Sequence, residues 1–448
     1  MRAPQRAAAA GLCALTALLA DWTCAELYLR DDSALNVAGA LGLNALGLAA
    51  GYAALRRWAC ERASVVALRA LALAIAGLVV QSSLRVAFGS ETLSGPGRLA
   101  VTIVLLGGAL LLALRAGDAL ADALMRAVAL GSIAFVVTPA LWHLAVGRPI
   151  TWIEAGPAPA KAAPAGTLFL LLDELGADAA APLVATLRRA GLNVDEQALP
   201  PAASNTTSAI PSMFAASPFH NARPCGRSTI CDGSRFVDFS RIRVLRPDVH
   251  VTGLLHPYCD IERLRSCQLL QQHHEYGNAY RSLLAFYLRR ASPTLAEALR
   301  SPLPAGIVRD YLQRQRAFID ASGFWDDGGV LYAHLFLPHP PGLDGATTLD
   351  ADYAANIDAA TALVGEWAAR ARSRFSERFS ILITSDHPLR DTWCSSPLYH
   401  ARACTLRPAF GSDRVPLIVA TPRPTLGRRV TTNAEVFSVL AAELERTP

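Results

Sequence analysis

The chain has 448 residues, of which 52% are hydrophobic and only 18% are charged, with a formal net charge of +5 and a mean hydropathy of +0.28. This composition excludes an intrinsically disordered chain, which would be poor in apolar and rich in charged residues. It also argues against an ordinary cytosolic enzyme, because such proteins carry about 25% charged residues.

The first 150 residues hold nearly all of the apolar excess and predict a transmembrane domain of five helices. A bilayer-spanning helix needs about 20 apolar residues, and five stretches of suitable length lie at 7–28, 34–55, 64–86, 99–115 and 125–147. The first stretch alone could be a cleaved signal peptide, but four further spans follow it directly. The arginines beside the spans favour a cytoplasmic N-terminus, which places the chain after residue 150 outside the cytoplasm.

The distribution of basic residues argues against a nucleic-acid partner. Residues 1–150 carry 12 arginines and 8 acidic residues, which leaves 30 basic and 29 acidic residues for the remainder of the chain. A nucleic-acid-binding domain would carry a basic patch or stripe. The nearly neutral second part shows none.

A Pro- and Ala-rich segment at 151–166 predicts a semi-rigid linker, and residues 167–448 then predict an extracytoplasmic catalytic domain. Strand-like apolar runs lie at 167–172, 249–255, 330–337, 379–384 and 417–420. Helical patterns lie at 179–190, 280–290, 352–372 and 434–444. Largely apolar strands separated by helices predict an α/β domain whose mostly parallel sheet is covered by helices on both faces.

Six of the nine cysteines follow residue 150, and they fall into close pairs. The pairs are Cys225/Cys231, Cys259/Cys267 and Cys394/Cys404. An even number outside the membrane predicts disulfides in an oxidising compartment. Six cysteines allow 15 connectivities, of which three local loops is the simplest. The alternative is zinc binding, but no pair has the two-residue spacing of a zinc knuckle.

Two predicted strands end in residues that could bind a metal ion. Asp173 and Glu174 follow the first strand of the second part, and Asp386 and His387 follow the strand at 379–384. One acid could simply cap a helix, whereas two adjacent acids indicate a site for a hard cation. Zinc accepts both carboxylate and imidazole ligands.

A hydroxyl-rich segment at 204–208 precedes an apolar helix. It could serve only as a helix cap, or it could place a hydroxyl where a helix N-terminus favours an anion. His334 and His339 are further polar positions near a strand end, and His400 follows Asp386-His387 at some distance. A lone buried histidine is more often a hydrogen-bonded core residue than a ligand.

In combination, these residues resemble the alkaline phosphatase/sulfatase superfamily, and particularly its membrane-anchored branch of phosphoethanolamine transferases and lipoteichoic acid synthases. Members of that branch have five transmembrane helices before an extracytoplasmic sulfatase-like domain, which matches the predicted layout. The resemblance implies a catalytic threonine at Thr206. The adjacent hydroxyl of Thr207 is the alternative nucleophile, and otherwise Thr207 is expected to contact the substrate. The implied metal ligands are Asp173, Glu174, Thr206, Asp386 and His387. His334 would bind substrate, and His339 and His400 would bind phosphate, protonate a leaving group or hold a second metal ion.

The sequence also departs from the branch. The transferases continue their metal pair as D-H-G-E, whereas Asp386-His387 is followed by Pro388-Leu389-Arg390. The segment Thr206-Thr-Ser-Ala-Ile-Pro lacks the C/S-x-P-x-R pattern from which sulfatases form formylglycine, which disfavours sulfate-ester hydrolysis by that route.

The resemblance implies a phosphotransferase that uses a divalent metal ion, with Zn²⁺ as the expected ion and Mn²⁺ as the alternative. The enzyme would move a phosphoethanolamine- or phosphoglycerol-type headgroup from a membrane phospholipid to an extracytoplasmic glycan or lipid acceptor, through a phosphothreonine. It would lie in a bacterial inner membrane, with its catalytic domain facing the periplasm or cell exterior. Two alternatives stay open: a phosphodiesterase or phosphatase of the same fold, and a non-catalytic membrane protein that binds lipid or a partner.

Overall fold

The computed structural model describes residues 150–152 and most of 165–446, together with 19, 22–28, 36–41, 43 and 66. Within 165–446, the gaps are 245–247, 271–275, 292–295, 297, 302–303, 305, 346, 397, 400–409 and 426. The five predicted membrane spans lie almost wholly outside the described residues. Within the described part of the chain, no helix combines the length and apolar character needed to cross a bilayer.

The chain divides into two compact units. The first comprises Met1–Arg148, Pro224–Arg227 and His273–Pro302, and the second comprises Pro149–Arg223, Ser228–Gln272 and Leu303–Pro448. The sequence patterns do not predict that the two later segments belong with the first unit. The division at residue 150 and the linker at 151–166 stay predictions, since most of the linker is outside the described residues.

The described part of the chain contains twelve strands and seven α-helices. The strands are β1 (Ile150–Trp152), β2 (Gly166–Leu172), β3 (Asn193–Leu199), β4 (Arg223–Pro224), β5 (Thr229–Asp232), β6 (Arg235–Asp238), β7 (Ile242–Val244), β8 (Val249–Leu254), β9 (Ser266–Leu270), β10 (Gly329–Leu335), β11 (Phe379–Thr384) and β12 (Val415–Thr421). The helices are α1 (Ala181–Arg189), α2 (Thr206–Ala215), α3 (Ala279–Ala291), α4 (Ile307–Ala321), α5 (Phe324–Asp327), α6 (Leu349–Phe375) and α7 (Val436–Arg446), and α3 belongs to the first unit.

A seven-stranded sheet organises the second unit in the order β3-β12-β11-β2-β10-β8-β9. The pairs β11–β2, β2–β10, β10–β8 and β8–β9 are parallel. Strand β12 runs antiparallel to both of its neighbours, β11 and β3. The prediction of a mostly parallel sheet is therefore confirmed.

The central strand β2 shows why its sequence is apolar throughout. All seven residues of Gly166–Leu172 are buried. Leu168 and Leu172 belong to the large core cluster that includes residues of α1 and α6. On the other face, the ring of Phe169 stacks on Tyr332 at 5.3 Å and lies 5.5 Å from Phe437 of α7. Helices thus cover both faces, which removes the alternation of a half-exposed strand.

The described cysteines after residue 150 agree with disulfide bonding. Cys259 and Cys267 form a disulfide, as predicted. Cys225, Cys231 and Cys394 are also disulfide-bonded, and Cys404 lies outside the described residues. These cysteines are therefore unavailable as thiolate ligands for zinc.

In the first unit, α3 packs against the N-terminal segment. Leu283 of α3 shares an apolar cluster with Trp22 and Val37. The indole nitrogen of Trp22 donates to Ser282 Oγ at 3.2 Å, and Ser282 Oγ donates to the buried carboxylate of Glu26 at 2.5 Å. A buried hydrogen-bonded chain therefore ties α3 to residues 22–26.

Candidate active site and metal centre

The carboxyl ends of neighbouring strands bring the predicted ligands together. Asp173 follows β2 directly, and Asp386 and His387 follow β11 after one intervening residue. Because β2 and β11 are parallel neighbours, their carboxyl ends meet at one edge of the sheet, where open α/β sheets bind ligands.

Asp173, Asp386 and His387 form a compact cluster that could hold a cation. One ligand atom from each lies within 4.8 Å of the others, and all three residues are buried. Asp173 Oδ1 and Asp386 Oδ2 have no hydrogen-bond partner among the described residues. Buried polar atoms are rarely left unpaired, and converging carboxylate oxygens suit a divalent cation. The residues therefore fit the metal ion that the sequence predicts.

The orientation of His387 suits a ligand role. Its Nδ1–H donates to the carbonyl of Pro388 at 2.9 Å, so Nε2 is the nitrogen that faces the cluster. Nε2 lies 3.2 Å from Asp386 Oδ2. Metal-binding histidines commonly donate their other N–H to a carbonyl or carboxylate, which fixes the ring.

The two aspartates have opposite pKa shifts. Burial raises the pKa of Asp173 well above its usual range, and the neighbouring carboxylates of Asp386 and Glu174 raise it further. Burial also acts to raise the pKa of Asp386, but His387, His334 and hydrogen bonds outweigh it and lower that pKa to about 2. Mutual repulsion of buried carboxylates is what a bound cation would relieve.

Thr206 stands beside this cluster at the first position of α2. The side chain of Asn205 caps the helix by accepting from the backbone N–H of Ser208 at 3.0 Å. The hydroxyl Oγ1 of Thr206 lies 3.2 Å from His387 Nε2. Thr207, one position further into α2, makes no hydrogen bond to these groups within the described residues. The geometry therefore singles out Thr206 as the hydroxyl nearest the cluster.

Glu174 is placed differently from its neighbour Asp173. It is fully buried with a left-handed φ of 64°, a conformation that costs energy for a non-glycine residue. Its backbone N–H donates to Asp386 Oδ1 at 3.2 Å. Its carboxylate accepts from Arg390 Nε and, at 2.7 Å, from Trp393 Nε1. Of the predicted carboxylate and histidine ligands, Glu174 is the one outside the three-residue cluster.

The predicted histidines have distinct positions. His339 Nε2 lies 4.0 Å from Glu174 Oε1 and 3.4 Å from Arg390 Nη2. His334 is fully buried, its Nδ1 is 3.1 Å from the hydroxyl of Tyr258, and its Nε2 has no hydrogen-bond partner among the described residues. His400 lies outside the described residues. Burial lowers the pKa of both His334 and His339 to about 4, which makes both rings neutral near pH 7.

Four further residues shape the site without having been predicted for it. Arg390 and Trp393 bind Glu174, while Asn433 Nδ2 donates to the carbonyls of Ser385 and Asp386 at 3.0 and 2.9 Å. His256 Nε2–H donates to the carbonyl of Thr206 at 3.1 Å. His256 could have been found from sequence, because it follows the apolar strand β8 as Asp173 follows β2. The other three depend on how loops fold back onto the sheet edge.

Comparison with known proteins gives matches to solved structures only. No protein-family model matches the chain, and no curated protein matches it. Solved structures of the alkaline phosphatase superfamily are similar to it, including one such protein from Vibrio parahaemolyticus at 10% identity and a TM-score of 0.33, covering 65% of this chain and 69% of that one.

Two phosphoethanolamine transferases are also similar. The integral membrane lipooligosaccharide phosphoethanolamine transferase A of Neisseria meningitidis is 10% identical with a TM-score of 0.37, and the match covers 96% of this chain and 95% of that one. The periplasmic domain of transferase C from Escherichia coli, determined as a zinc complex, is 9% identical with a TM-score of 0.32, covering 64% of this chain and 83% of that one. At these identities and TM-scores, the likenesses carry no argument about the reaction.

Proposed function

We propose that this protein is a metal-dependent phosphotransferase that moves a phosphorylated headgroup from a membrane phospholipid to a glycan or lipid acceptor through a phosphothreonine at Thr206. The observation that carries the proposal is the position of the Thr206 hydroxyl. It lies at a helix N-terminus, 3.2 Å from His387 Nε2, and His387 belongs to a buried carboxylate–imidazole cluster.

The residues of the cluster have the chemistry that activation of a hydroxyl needs. Asp173, Asp386 and His387 would hold the cation, zinc or manganese. When bound, the cation lowers the pKa of a nearby hydroxyl and neutralises charge on phosphoryl oxygens. The N-terminal turn of α2 adds backbone N–H groups and the positive end of the helix dipole, both of which favour an anion beside Thr206.

Transfer takes place in two substitutions at phosphorus. In the first, Thr206 Oγ1 forms a bond to phosphorus, the bond from phosphorus to the lipid glycerol oxygen breaks, and diacylglycerol leaves after its oxygen gains a proton. In the second, an acceptor hydroxyl attacks phosphorus, loses its proton and releases Thr206. The Thr206 proton is lost in the first step and regained in the second, so the proton count balances. Such a route has ping-pong kinetics.

The composition of residues 1–150 supports the proposed lipid donor and membrane location. Five apolar stretches there have the length of membrane spans. The arginine distribution favours an outer location for the second unit, and its disulfides agree with an oxidising compartment such as the periplasm.

A mass-spectrometric assay on the full-length protein tests the nucleophile. Purified wild type would be incubated with zinc and a panel of headgroup-labelled phospholipids, and the peptide containing Thr206 would be examined for an adduct. We expect the adduct in wild type, in Thr206→Ser and in Thr207→Ala, because all keep a hydroxyl at position 206. Thr206→Ala should have none, and equal adducts in Thr206→Ala and wild type would disprove the assignment.

The same assay distinguishes the hydrolase alternative. A phosphodiesterase or phosphatase releases free headgroup steadily when no acceptor is present, because water is its acceptor. A transferase stops after one equivalent of adduct per chain until an acceptor is added.

A further inference from the structure

Glu174 and Arg390 form an ion pair inside the site. Neither residue belongs to the candidate metal cluster. Arg390 Nε donates to Glu174 Oε1, and Trp393 Nε1 donates to Glu174 Oε2 at 2.7 Å. Both oxygens of this buried carboxylate are therefore occupied by donors of the chain itself. Withdrawing Glu174 to bind a cation would leave the guanidinium without its partner and would cost both hydrogen bonds.

Arg390 keeps one edge of its guanidinium without a partner in the described part of the chain. Its side chain is 38% exposed, and its guanidinium carbon lies 5.6 Å from the ring centre of Trp393. Nη2 is 3.4 Å from His339 Nε2, while Nη1 has no hydrogen-bond partner within the described part of the chain. A guanidinium presents its donors in a rigid plane that matches phosphate oxygens. Held along one edge by Glu174, it can offer the other to an anion.

The charge balance indicates one cation rather than two. Asp173, Glu174 and Asp386 contribute three carboxylates, and Arg390 contributes one positive charge that lies close enough to affect both Asp173 and Asp386. The remaining charge of minus two is balanced by one divalent cation, which the cluster of Asp173, Asp386 and His387 can accept. Two positive centres would then face the phosphoryl group, one a metal ion and one a guanidinium.

We propose that Arg390 is the second positive charge of the site: beside a single divalent cation, its Nη1 edge binds an anionic oxygen of the phosphoryl group, and Glu174 holds it there instead of binding metal. This inference rests on the proposed function for the identity of the anion. It assigns Arg390 to substrate binding and Glu174 to positioning Arg390.

Orthophosphate binding to the zinc-loaded, full-length protein tests this assignment without relying on turnover. Zinc per chain would be measured by elemental analysis and orthophosphate affinity by calorimetry. We expect one zinc ion per wild-type chain. Arg390→Gln should keep that ion but bind orthophosphate about 10- to 100-fold more weakly, the range expected for a charge-assisted hydrogen bond. Arg390→Lys should be intermediate, because it keeps the charge and loses the planar fork.

Two further variants separate anion binding from neutralisation of Glu174. The single variant Arg390→Gln leaves Glu174 as a buried carboxylate without its guanidinium partner, which can impair folding. The double variant Arg390→Gln/Glu174→Gln removes that charge. It should still bind orthophosphate weakly. Arg316→Gln is the matched control, since Arg316 bonds both oxygens of Glu366 at 2.7 and 2.9 Å in an exposed pair. It should bind orthophosphate as wild type does.

Three results would overturn the inference: wild-type affinity in Arg390→Gln, recovery of affinity in the double variant, or two zinc ions per wild-type chain. The Thr206 adduct separates this failure from failure of the proposed function. If the adduct forms while Arg390→Gln binds orthophosphate normally, only the role of Arg390 is wrong. If Arg390→Gln loses orthophosphate but wild type never forms an adduct, the anion subsite stands and the phosphothreonine route is wrong.

Discussion

Asp173 and Glu174 are adjacent in the chain, yet the structure gives them opposite surroundings. Asp173 faces Asp386 and His387 and leaves Oδ1 without a described hydrogen-bond partner. Glu174 turns away through a left-handed backbone and is bound by Arg390 and Trp393. Two consecutive acids after a strand can therefore contact different partners. In the site as we propose it, Asp173 belongs to the metal side and Glu174 supports the arginine side.

Removal of one acid from each side tests this division with the largest expected effect. Asp386→Asn should lose the metal ion and lower headgroup transfer by about 10³-fold or more, because a metal ion contributes several kcal/mol of charge stabilisation to the transition state. Glu174→Gln should still bind one zinc ion per chain. Zinc content measured by elemental analysis checks both expectations.

Asp391→Asn is the matched control, since Asp391 is exposed in the loop that also carries Arg390. It should keep the zinc content and transfer rate of wild type. If Glu174→Gln loses zinc as completely as Asp386→Asn does, Glu174 is a ligand and the division into two sides is wrong.

A smaller effect is expected on the arginine side from Asn356 of α6. Its Nδ2 donates to the carbonyls of His339 and Pro341 at 2.9 and 3.0 Å, which holds the loop that carries His339. Asn356→Ala should destabilise the protein by about 1–3 kcal/mol by leaving buried carbonyls unpaired. Asn356→Asp should cost at least as much, because a carboxylate would face those carbonyls without a donor. Both changes should weaken orthophosphate binding and leave zinc content unchanged.

Asp358→Ala provides the control for Asn356, because it changes an exposed position of the same helix. Its stability should stay within about 0.5 kcal/mol of wild type. Thermal unfolding measures the stability of the three variants, and elemental analysis measures their zinc content. A loss of zinc in Asn356→Ala would show that the two sides are one cooperative unit.

The sheet could be predicted where its strands are buried on both faces. The largely apolar sequences of β2, β8, β10, β11 and β12 predict these five strands. Strands β3 and β9 were missed because they lie at the two edges of the sheet. Glu196 of β3, for example, is exposed, so the strand mixes polar and apolar residues and lacks the buried pattern.

The site could be predicted as far as strand ends determine it. Asp173, Asp386 and His387 follow parallel neighbouring strands, so their meeting depends only on the order of the sheet. The bonds from Arg390 and Trp393 to Glu174 depend on a loop that returns across the sheet edge, separated from Glu174 by more than 200 residues. No local pattern encodes that path, so the sequence does not predict that Arg390 and Trp393 bind Glu174.

The smallest expected effect concerns the pH dependence of stability in the metal-free protein. Burial and neighbouring carboxylates raise the pKa of Asp173 in the folded state, whereas an unfolded aspartate has a pKa of about 3.9. The folded protein therefore holds a proton that the unfolded chain has lost, and this contribution to stability falls as pH rises from about 4 toward the folded pKa. The slope of stability against pH cannot exceed about 1.4 kcal/mol per pH unit for this one group.

Asp173→Asn should remove this pH dependence. After chelation of metal ions, its unfolding temperature should therefore vary less with pH than that of chelated wild type. Asp391→Asn should keep the wild-type slope. Identical slopes in Asp173→Asn and wild type would show that Asp173 is not the group whose pKa is raised in the folded protein.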